Sequence, residues 1–430
     1  MEHVVIIGNG IAGVTLARNL RKLSDHKITI ISSESEYFFS RTALMYVFMG
    51  HMKFEHLKPY ENDFWKKNNI NLIQKEVINV KTEQNLITFA DKSSLNYDKL
   101  VIATGSKPNK LGWKNQDANG VLGLYHKQDL EKLEQLSAQC KQAVVVGGGL
   151  IGIELVEMLL SRGIPVTFLV REKSFWNSIL PLGESELVTK YILEHNVDLR
   201  CETTLDEIIV DDNGNTTAIK TSSGEIIECS IVGLTVGVSP NINFLKNSNI
   251  STSKGVQVNR FLQTSVPNVY AIGDCAEQKE AINFRRSIEA VWYTGKMMGE
   301  TLAQTLAGKS MPYNPGNWFN SAKFFDIEYQ TYGWVFATPL QNETQFYWEH
   351  PSRKIAVRLS FEKYTKTFLG INTLGIRMRH DFFDTVLNEG KSIDYVIKNL
   401  AKANFDPEFF KSYEKDIQNA FEQYQTKIVN

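Results

Sequence analysis

Cysteine is scarce in this chain: four residues among 430, Cys140, Cys201, Cys229 and Cys275, with no C-x-x-C pair. That spacing encodes neither a zinc cluster nor a local dithiol relay. Cys275, directly behind Asp274, reads as a small buried hydrophobe. The eight histidines are scattered without an H-x-x-x-H pair, so no protein-bound metal is expected. The formal net charge is −1 and no basic-aromatic cluster stands out, which argues against a nucleic-acid partner. Long apolar runs are missing too. None approaches the roughly 20 residues that cross a bilayer, so no transmembrane segment is expected. An apolar strand begins by residue 4, without a basic leader or a small-residue cleavage site, and the expectation is a cytoplasmic protein. The hydrophobic fraction is an ordinary 43%, and 430 residues exceed what one core accommodates, so two or three domains are expected.

What is present is a repeated glycine pattern. Gly8-Asn9-Gly10-Ile11-Ala12-Gly13 follows the apolar residues 4–7, and Gly147-Gly148-Gly149-Leu150-Ile151-Gly152 follows residues 143–146. In such a loop the first glycine makes a tight turn, the second lets a pyrophosphate approach the backbone, and the third lets helix and strand pack closely. The phosphates then meet free amides at a helix N-terminus. Residues 14–23 read as the first helix and residues 27–31 as the next strand, ending at Ser32, Ser33 and Glu34. Glu34 lies 21 residues beyond Gly13, where a carboxylate accepts both hydroxyls of a ribose; the alternative is a solvated loop acid. After the second loop, residues 153–162 read as helix and 166–170 as strand. Here Val170 takes the acid position, followed by Arg171 and Glu172. The missing acid leaves room for a 2′-phosphate on Arg171, which reads equally well as a surface cation.

Further along, residues 71–80 and 86–90 read as a strand pair with a turn at 91–94. Residues 97–103 form an apolar strand stopped by Thr104-Gly105. Residues 108–117 are a linker candidate. Residues 184–195 read as an amphipathic helix, and Asn213-Gly214 as the turn of a hairpin between 205–210 and 217–221. The strand 230–235 runs into Val236-Gly237, an echo of the Thr-Gly stop, and a later strand ends at Gly273-Asp274.

In this order the motifs resemble the two-dinucleotide-fold flavoprotein oxidoreductases, the pyridine nucleotide-disulfide oxidoreductase superfamily, over about residues 1–310. Within it the chain is most similar to the ferredoxin and rubredoxin reductase-like branch. The resemblance implies an α/β fold with two Rossmann-like three-layer dinucleotide-binding domains plus a C-terminal α+β domain. FAD would bind a discontinuous domain of residues 1–112 and 245–312. NAD(P)H, as co-substrate, would bind residues 113–244, and residues 313–430 would form the C-terminal α+β interface domain. By the same likeness the FAD site comprises Gly8, Gly10, Ile11, Ala12, Gly13, Ser33, Glu34, Arg41, Val77, Ala103, Thr104, Gly105, Gly273, Asp274, Glu289 and Ala290, and Gly237 is a further cofactor-binding residue. Glu34 would hold the adenine ribose, Val77 the adenine through its main chain, and Asp274 the ribityl chain. Gly147, Gly149, Leu150, Ile151, Gly152 and Arg171 would hold NADH or NADPH. Glu154 would approach the nicotinamide; its first-turn position also suits a plain helix-surface carboxylate.

Residues 318–321 and 326–333 look like the start of the third domain in ferredoxin-reductase-like members and apoptosis-inducing factor, where that domain covers the flavin's side of the cleft. Trp318 reads either as a flavin shield or as a core residue. Strands are expected at 344–350, 354–362 and 367–372. Helices are expected at 382–388, 393–403 and 407–425, the middle one capped by Ser392.

The departures are informative. The family's R-P-P-L-S-K segment is here Arg41-Thr42-Ala43-Leu44-Met45-Tyr46, placing Tyr46, a candidate catalytic residue with Glu154, where a lysine is usual. Residues 37–50 lack the cysteine that thiol-dependent branches need, which argues against disulfide or thiol-peroxidase chemistry. The expected function is hydride transfer from NAD(P)H to FAD and electron delivery to a small carrier such as ferredoxin or rubredoxin. Arg285, Arg286, Arg377, Arg379 and His380 are a candidate docking patch for an acidic carrier. Two other readings stand beside it. One is a type II NADH:quinone oxidoreductase at a membrane surface, against which the charged residues of 393–425 argue. The other is a redox-sensing interaction module resembling apoptosis-inducing factor. A homodimer is the expectation from the family.

Overall fold

The computed structural model describes every residue except Pro407, Phe410 and Asn430. The chain divides into two compact units. One comprises residues 1–111, 122–138 and 236–315, the other residues 112–121, 139–235 and 316–430.

The first unit is built on a five-stranded sheet in the order Val269–Ala271, Lys99–Ile102, His3–Ile7, Lys27–Ser32, Ile70–Gln74. All four pairings are parallel. After His3 the central strand is continuously apolar, residues 4–7, because both sheet faces are covered, the pattern of a buried parallel strand. The helix Ile11–Leu23 follows it directly, three residues earlier than the periodicity suggests. It packs on the helix Trp292–Leu306 so closely that a Cβ on Gly299 would lie 2.6 Å from the Ala12 carbonyl oxygen.

Residues 71–80 are not one strand. The run breaks at Lys75-Glu76: Ile70–Gln74 closes the parallel sheet, whereas Val77–Lys81 joins Leu86–Phe89 and Ser94–Asn96 in a separate antiparallel sheet. The Glu76 carbonyl accepts from the Ala90 amide, which starts the new pairing and spends the hydrogen bond that would have continued the old one. The 91–94 turn therefore joins Leu86–Phe89 to a third strand that periodicity did not reveal.

The second unit repeats the arrangement. Asp198–Arg200, Val166–Leu169, Ala143–Val146 and Ile231–Leu234 lie side by side in that order, all parallel. The helix Leu150–Ser161 follows the inner strand as Ile11–Leu23 does in the first unit. The Asn213-Gly214 hairpin joins Leu205–Val210 to Thr216–Thr221 as expected. The helix expected at 184–195 spans Leu182–Glu194. Residues 113 and 115 of the linker candidate are tied down: Trp113 Nε1 donates to the Leu205 carbonyl at 2.9 Å and Asn115 Nδ2 to Ile208 at 2.7 Å.

A five-stranded antiparallel sheet completes this unit, ordered Phe319–Phe324, Ile327–Gly333, Phe368–Leu374, Ala356–Glu362, Glu343–Glu349. It docks on the second nucleotide fold through a buried ion pair, Arg358 Nη2 to Glu184 Oε2 at 2.7 Å, with Glu184 1% exposed. Around the pair, Phe175 and Trp176 meet the Phe324 ring edge-on, and His195 stacks on Phe325 at 4.0 Å. Breaking such a pair from one side leaves an uncompensated buried charge, so it locks the sheet to the fold. Ser392 accepts from the Tyr395 amide and caps the helix as expected. That helix stops at Lys398 rather than continuing to 403; Asn399 ends it and a 3-10 turn, Leu400–Ala403, follows. The last helix spans Glu414–Val429; of the start expected at 407, Pro407 lies outside the described residues, and 411–413 are not helical. Among the described residues no helix is long and apolar enough to cross a membrane.

Candidate active site

Both glycine loops are shaped by what their side chains would strike. A Cβ on Gly8 would sit 2.0 Å from the Ala103 carbonyl oxygen, and Gly8 has φ +121°, so only glycine fits. A Cβ on Gly13 would lie 2.1 Å from the Gly8 oxygen. The second loop matches: Gly147, φ +117°, faces the Thr235 oxygen at 2.6 Å, and Gly152 faces the Gly147 oxygen at 2.2 Å. The middle glycines differ from all of these. Nothing lies within 4 Å of a Cβ on Gly10 or Gly149, so no protein atom demands glycine there. Each caps its helix with no side-chain cap bond and no acid in the first turn. Open space over free amides at a positive helix end is a cradle for an anion. Ile11 and Ala12, and likewise Leu150 and Ile151, begin the two helices beneath it.

The first unit also holds the other residues expected at its site. Glu34 is held as a carboxylate by many donors. Arg41 Nη1 and Nη2 donate to its two oxygens at 3.0 and 2.5 Å, and the Lys127 amide donates at 2.8 Å. Burial pushes its pKa upward, but bonds from His126 and Arg41, the Arg41 charge and the Lys127 amide outweigh burial and bring it to about 2. Ser33 beside it is exposed. Asp274 follows Gly273, whose φ of +74° turns the chain out of the strand Val269–Ala271. Its carboxylate accepts from Ser106 Oγ at 3.2 Å, and burial drives its pKa up. A buried carboxyl with so few partners has acceptor capacity left for a polyol. The Ala103 amide donates to Ile7 at 2.8 Å, Thr104 Oγ1 to the Asn241 carbonyl at 2.7 Å, and Gly105 has φ +63°. Val77 lies 9% exposed at the start of its strand, paired with Phe89. Gly237 has φ +88°, and its carbonyl accepts from the Asn109 amide.

Glu289 is bound by Arg285 through two bonds of 2.6 Å, their side chains 8% and 5% exposed, while Ala290 is exposed. Arg285 is therefore a buried structural cation and not part of a docking surface. Arg377 pairs with Glu328, Arg379 with Asp381, and the His380 ring packs on Phe319, so the proposed basic patch is largely neutralised within the protein. Tyr46, on the short helix Leu44–Phe48, stacks on His51 at 5.9 Å. Trp318 stacks on Trp334 at 5.7 Å within the C-terminal sheet's unit.

In the second unit Glu154 lies on the loop's own helix, beyond the first turn where it was expected, and burial, with Glu157 nearby, raises its pKa to about 7. Glu157 is occupied by Lys323 at 3.1 Å. Val170 is fully buried, its Cγ1 only 2.8 Å from where a Gly148 Cβ would be. Arg171 is 80% exposed and touches Glu172 at 3.0 Å.

Sequence reasoning missed Tyr125, whose hydroxyl lies 3.1 Å from the Ser106 amide and whose carbonyl accepts from Arg41. It also missed Thr235, which donates to the Val146 carbonyl beside Gly147 at 2.8 Å. Neither sits in a motif. Only the Gly-adjacent Thr235 had a local signal, the end of a strand paired with the loop's own.

Comparison with known proteins agrees with this geometry. The family described as pyridine nucleotide-disulphide oxidoreductase matches residues 2–299. An NADH oxidase of Methanocaldococcus jannaschii is 29% identical over 76% of this chain and 75% of its own length. An NADH-rubredoxin oxidoreductase of Clostridium acetobutylicum is 30% identical over 64% of this chain and 68% of its own. Among solved structures, an engineered water-forming NADPH oxidase bound to NADPH aligns with a TM-score of 0.85 at 18% identity, covering 100% of both chains. Its five substitutions include an aspartate changed to alanine and the adjoining alanine changed to arginine.

Proposed function

Given that the chain belongs to the pyridine nucleotide-disulphide oxidoreductase family and is an FAD-dependent NAD(P)H oxidoreductase, we propose that it takes its hydride from NADPH and serves a small electron-carrier protein. In this reading FAD occupies the first glycine loop and the nicotinamide nucleotide the second, with the three-domain division of residues 1–112 and 245–312, 113–244, and 313–430. Bound there, FAD supplies the chemistry, acceptance of a hydride and release of its electrons. The chain's own residues bind and orient. The open spaces at Gly10 and Gly149 receive the two pyrophosphates, Glu34 and Arg41 fix the adenosine end, and Asp274 the ribityl hydroxyls.

The observation that carries the NADPH preference is the pairing of a fully buried Val170 with an exposed Arg171. Glu172 stands at the register position of Glu34 but is paired with Arg171 at 3.0 Å, and that exposed guanidinium is the group that would meet a 2′-phosphate. The engineered NADPH oxidase carries an aspartate-to-alanine and an adjoining alanine-to-arginine substitution. Glu154, near neutrality at about 7, holds or releases a proton close to working pH and so suits a donor or acceptor for a nicotinamide carboxamide. Without a cysteine in residues 37–50, electrons leave the flavin directly and not through a thiol. The relative from Clostridium acetobutylicum, by its name an NADH-rubredoxin oxidoreductase, supports a protein acceptor.

The test is anaerobic reduction with NADPH and NADH in turn, followed by reoxidation with ferredoxin, rubredoxin, a short-chain quinone and oxygen. Faster reduction by NADPH and fastest reoxidation by an iron-sulfur protein are expected. Preference for NADH, or for quinone or oxygen, contradicts the corresponding half.

A further inference from the structure

Tyr125 connects three parts of the first unit that are far apart in sequence. Its carbonyl accepts a hydrogen bond from Arg41 Nη1, and its ring faces the Arg41 guanidinium with 4.7 Å to the centroid. Phe39 lies 5.3 Å from the same guanidinium, so Arg41 rests among aromatic rings while its donors grip Glu34. The Tyr125 hydroxyl accepts from the Ser106 amide at 3.1 Å, and Ser106 Oγ in turn holds Asp274. The hydroxyl also comes within 3.4 Å of a Cβ placed on Gly105. The residue is anchored from behind, because its own amide donates to Asp129 Oδ2 at 2.9 Å at the start of the helix Lys127–Ser137. Arg41 also feels the charges of both Glu34 and Asp274, the two carboxylates assigned to opposite parts of FAD.

We propose that Tyr125 is a positioning residue of the FAD site, holding the Arg41 guanidinium against Glu34 through its ring face and steadying the Gly105-Ser106 turn through its hydroxyl. The inference rests on FAD occupying the first fold and adds how the chain orients the Arg41 cation there. A guanidinium left to itself samples many rotamers, and a π face of fixed orientation removes that freedom before the ligand arrives. Tyr125 contributes no charge of its own, so its effect passes through Arg41.

The experiment is a double-mutant cycle on FAD affinity, read by flavin fluorescence quenching on apoprotein, with apoprotein melting temperature as the control for folding. Wild-type apoprotein must take up FAD; if it does not, the FAD assignment itself fails and Tyr125 is not the cause. Tyr125→Leu keeps an apolar side chain but removes the π face and hydroxyl, and is expected to raise the Kd about tenfold at an unchanged melting temperature. Tyr125→Phe restores the ring and is expected to return the Kd to within about threefold of wild type. On an Arg41→Ala background, Tyr125→Leu is expected to add less than about twofold, since the group it orients is gone. Should Tyr125→Leu fail to fold, Tyr125→Met takes its place. A wild-type Kd in Y125L, no rescue by Y125F, or full additivity with R41A overturns the proposal.

Discussion

The two nucleotide folds share one backbone and differ in charge. In both, the first and third glycines are demanded by carbonyl oxygens 2.0–2.6 Å from where a Cβ would be, and the middle glycine faces open space. Beyond the loop the folds part. The first places Glu34 under several donors and keeps it ionised, at about 2. The second buries Val170, leaves Arg171 outside paired with Glu172, the residue that matches Glu34 in register, and carries an acid near neutrality, Glu154 at about 7. On the proposed reading, steric demands of the main chain set where a dinucleotide lies, whereas the electrostatics of a few side chains set which one it is.

The comparison is broken most severely at the glycines. Gly13→Ala and Gly152→Ala each force a Cβ onto a backbone oxygen and are expected to cost more than about 3 kcal/mol, seen as a large drop in melting temperature. Gly10→Ala and Gly149→Ala meet no protein atom. They are expected to leave melting within a few degrees of wild type while FAD content falls in the first and NADPH affinity in the second. Equal thermal damage from all four would remove the distinction.

The two glutamates sharpen the comparison through pH. Glu34 is depressed to about 2, so its contribution is present above the ordinary carboxylate value of 4.5 and is lost as pH falls through 2. Glu34→Gln is expected to lose on the order of 3 kcal/mol at neutral pH, the deficit vanishing in acid. Glu154 is raised to about 7, so folding binds its proton and stability falls as pH climbs from 4.5 towards 7. Glu154→Gln is expected to be more stable than wild type at pH 8 by up to about 3 kcal/mol and equal to it below pH 4. Denaturant midpoints across pH 3–9 check both, and slopes of the same sign in the two variants refute the assignment.

Arg171→Ala gives the smallest effect. It is expected to raise KM for NADPH about tenfold, some 1.4 kcal/mol, with KM for NADH and both kcat values little changed. Steady-state kinetics with the two nucleotides decide it.

Much of this was legible in the sequence because glycine loops and apolar strands are local signals. The strands around Gly8 and Gly147, the hairpin at Asn213-Gly214 and the Ser392 cap all follow from residues within a few positions of one another. What escaped depends on partners far away. Tyr125 meets an arginine 84 positions distant, and no pattern around residue 125 announces it. The break at Lys75-Glu76 is set by pairing with Ala90, and the polar run Gln74-Lys75-Glu76 alone does not tell a break from a solvated stretch of one strand. Arg285 looks like a surface cation until Glu289 is found bonded to it in a buried position. Similarly, Glu184 begins an ordinary amphipathic helix by pattern, and only Arg358, 174 positions on, explains why a carboxylate there is buried.

The central claim is that one chain carries FAD in its first fold and a hydride donor in its second. Anaerobic mixing of the purified protein with one equivalent of NADPH tests it most directly, by following the visible flavin band. The expected result is a yellow protein with one FAD per chain, bleached by that single equivalent. A colourless protein that takes up no FAD, or a bound flavin that neither NADPH nor NADH bleaches, would contradict it.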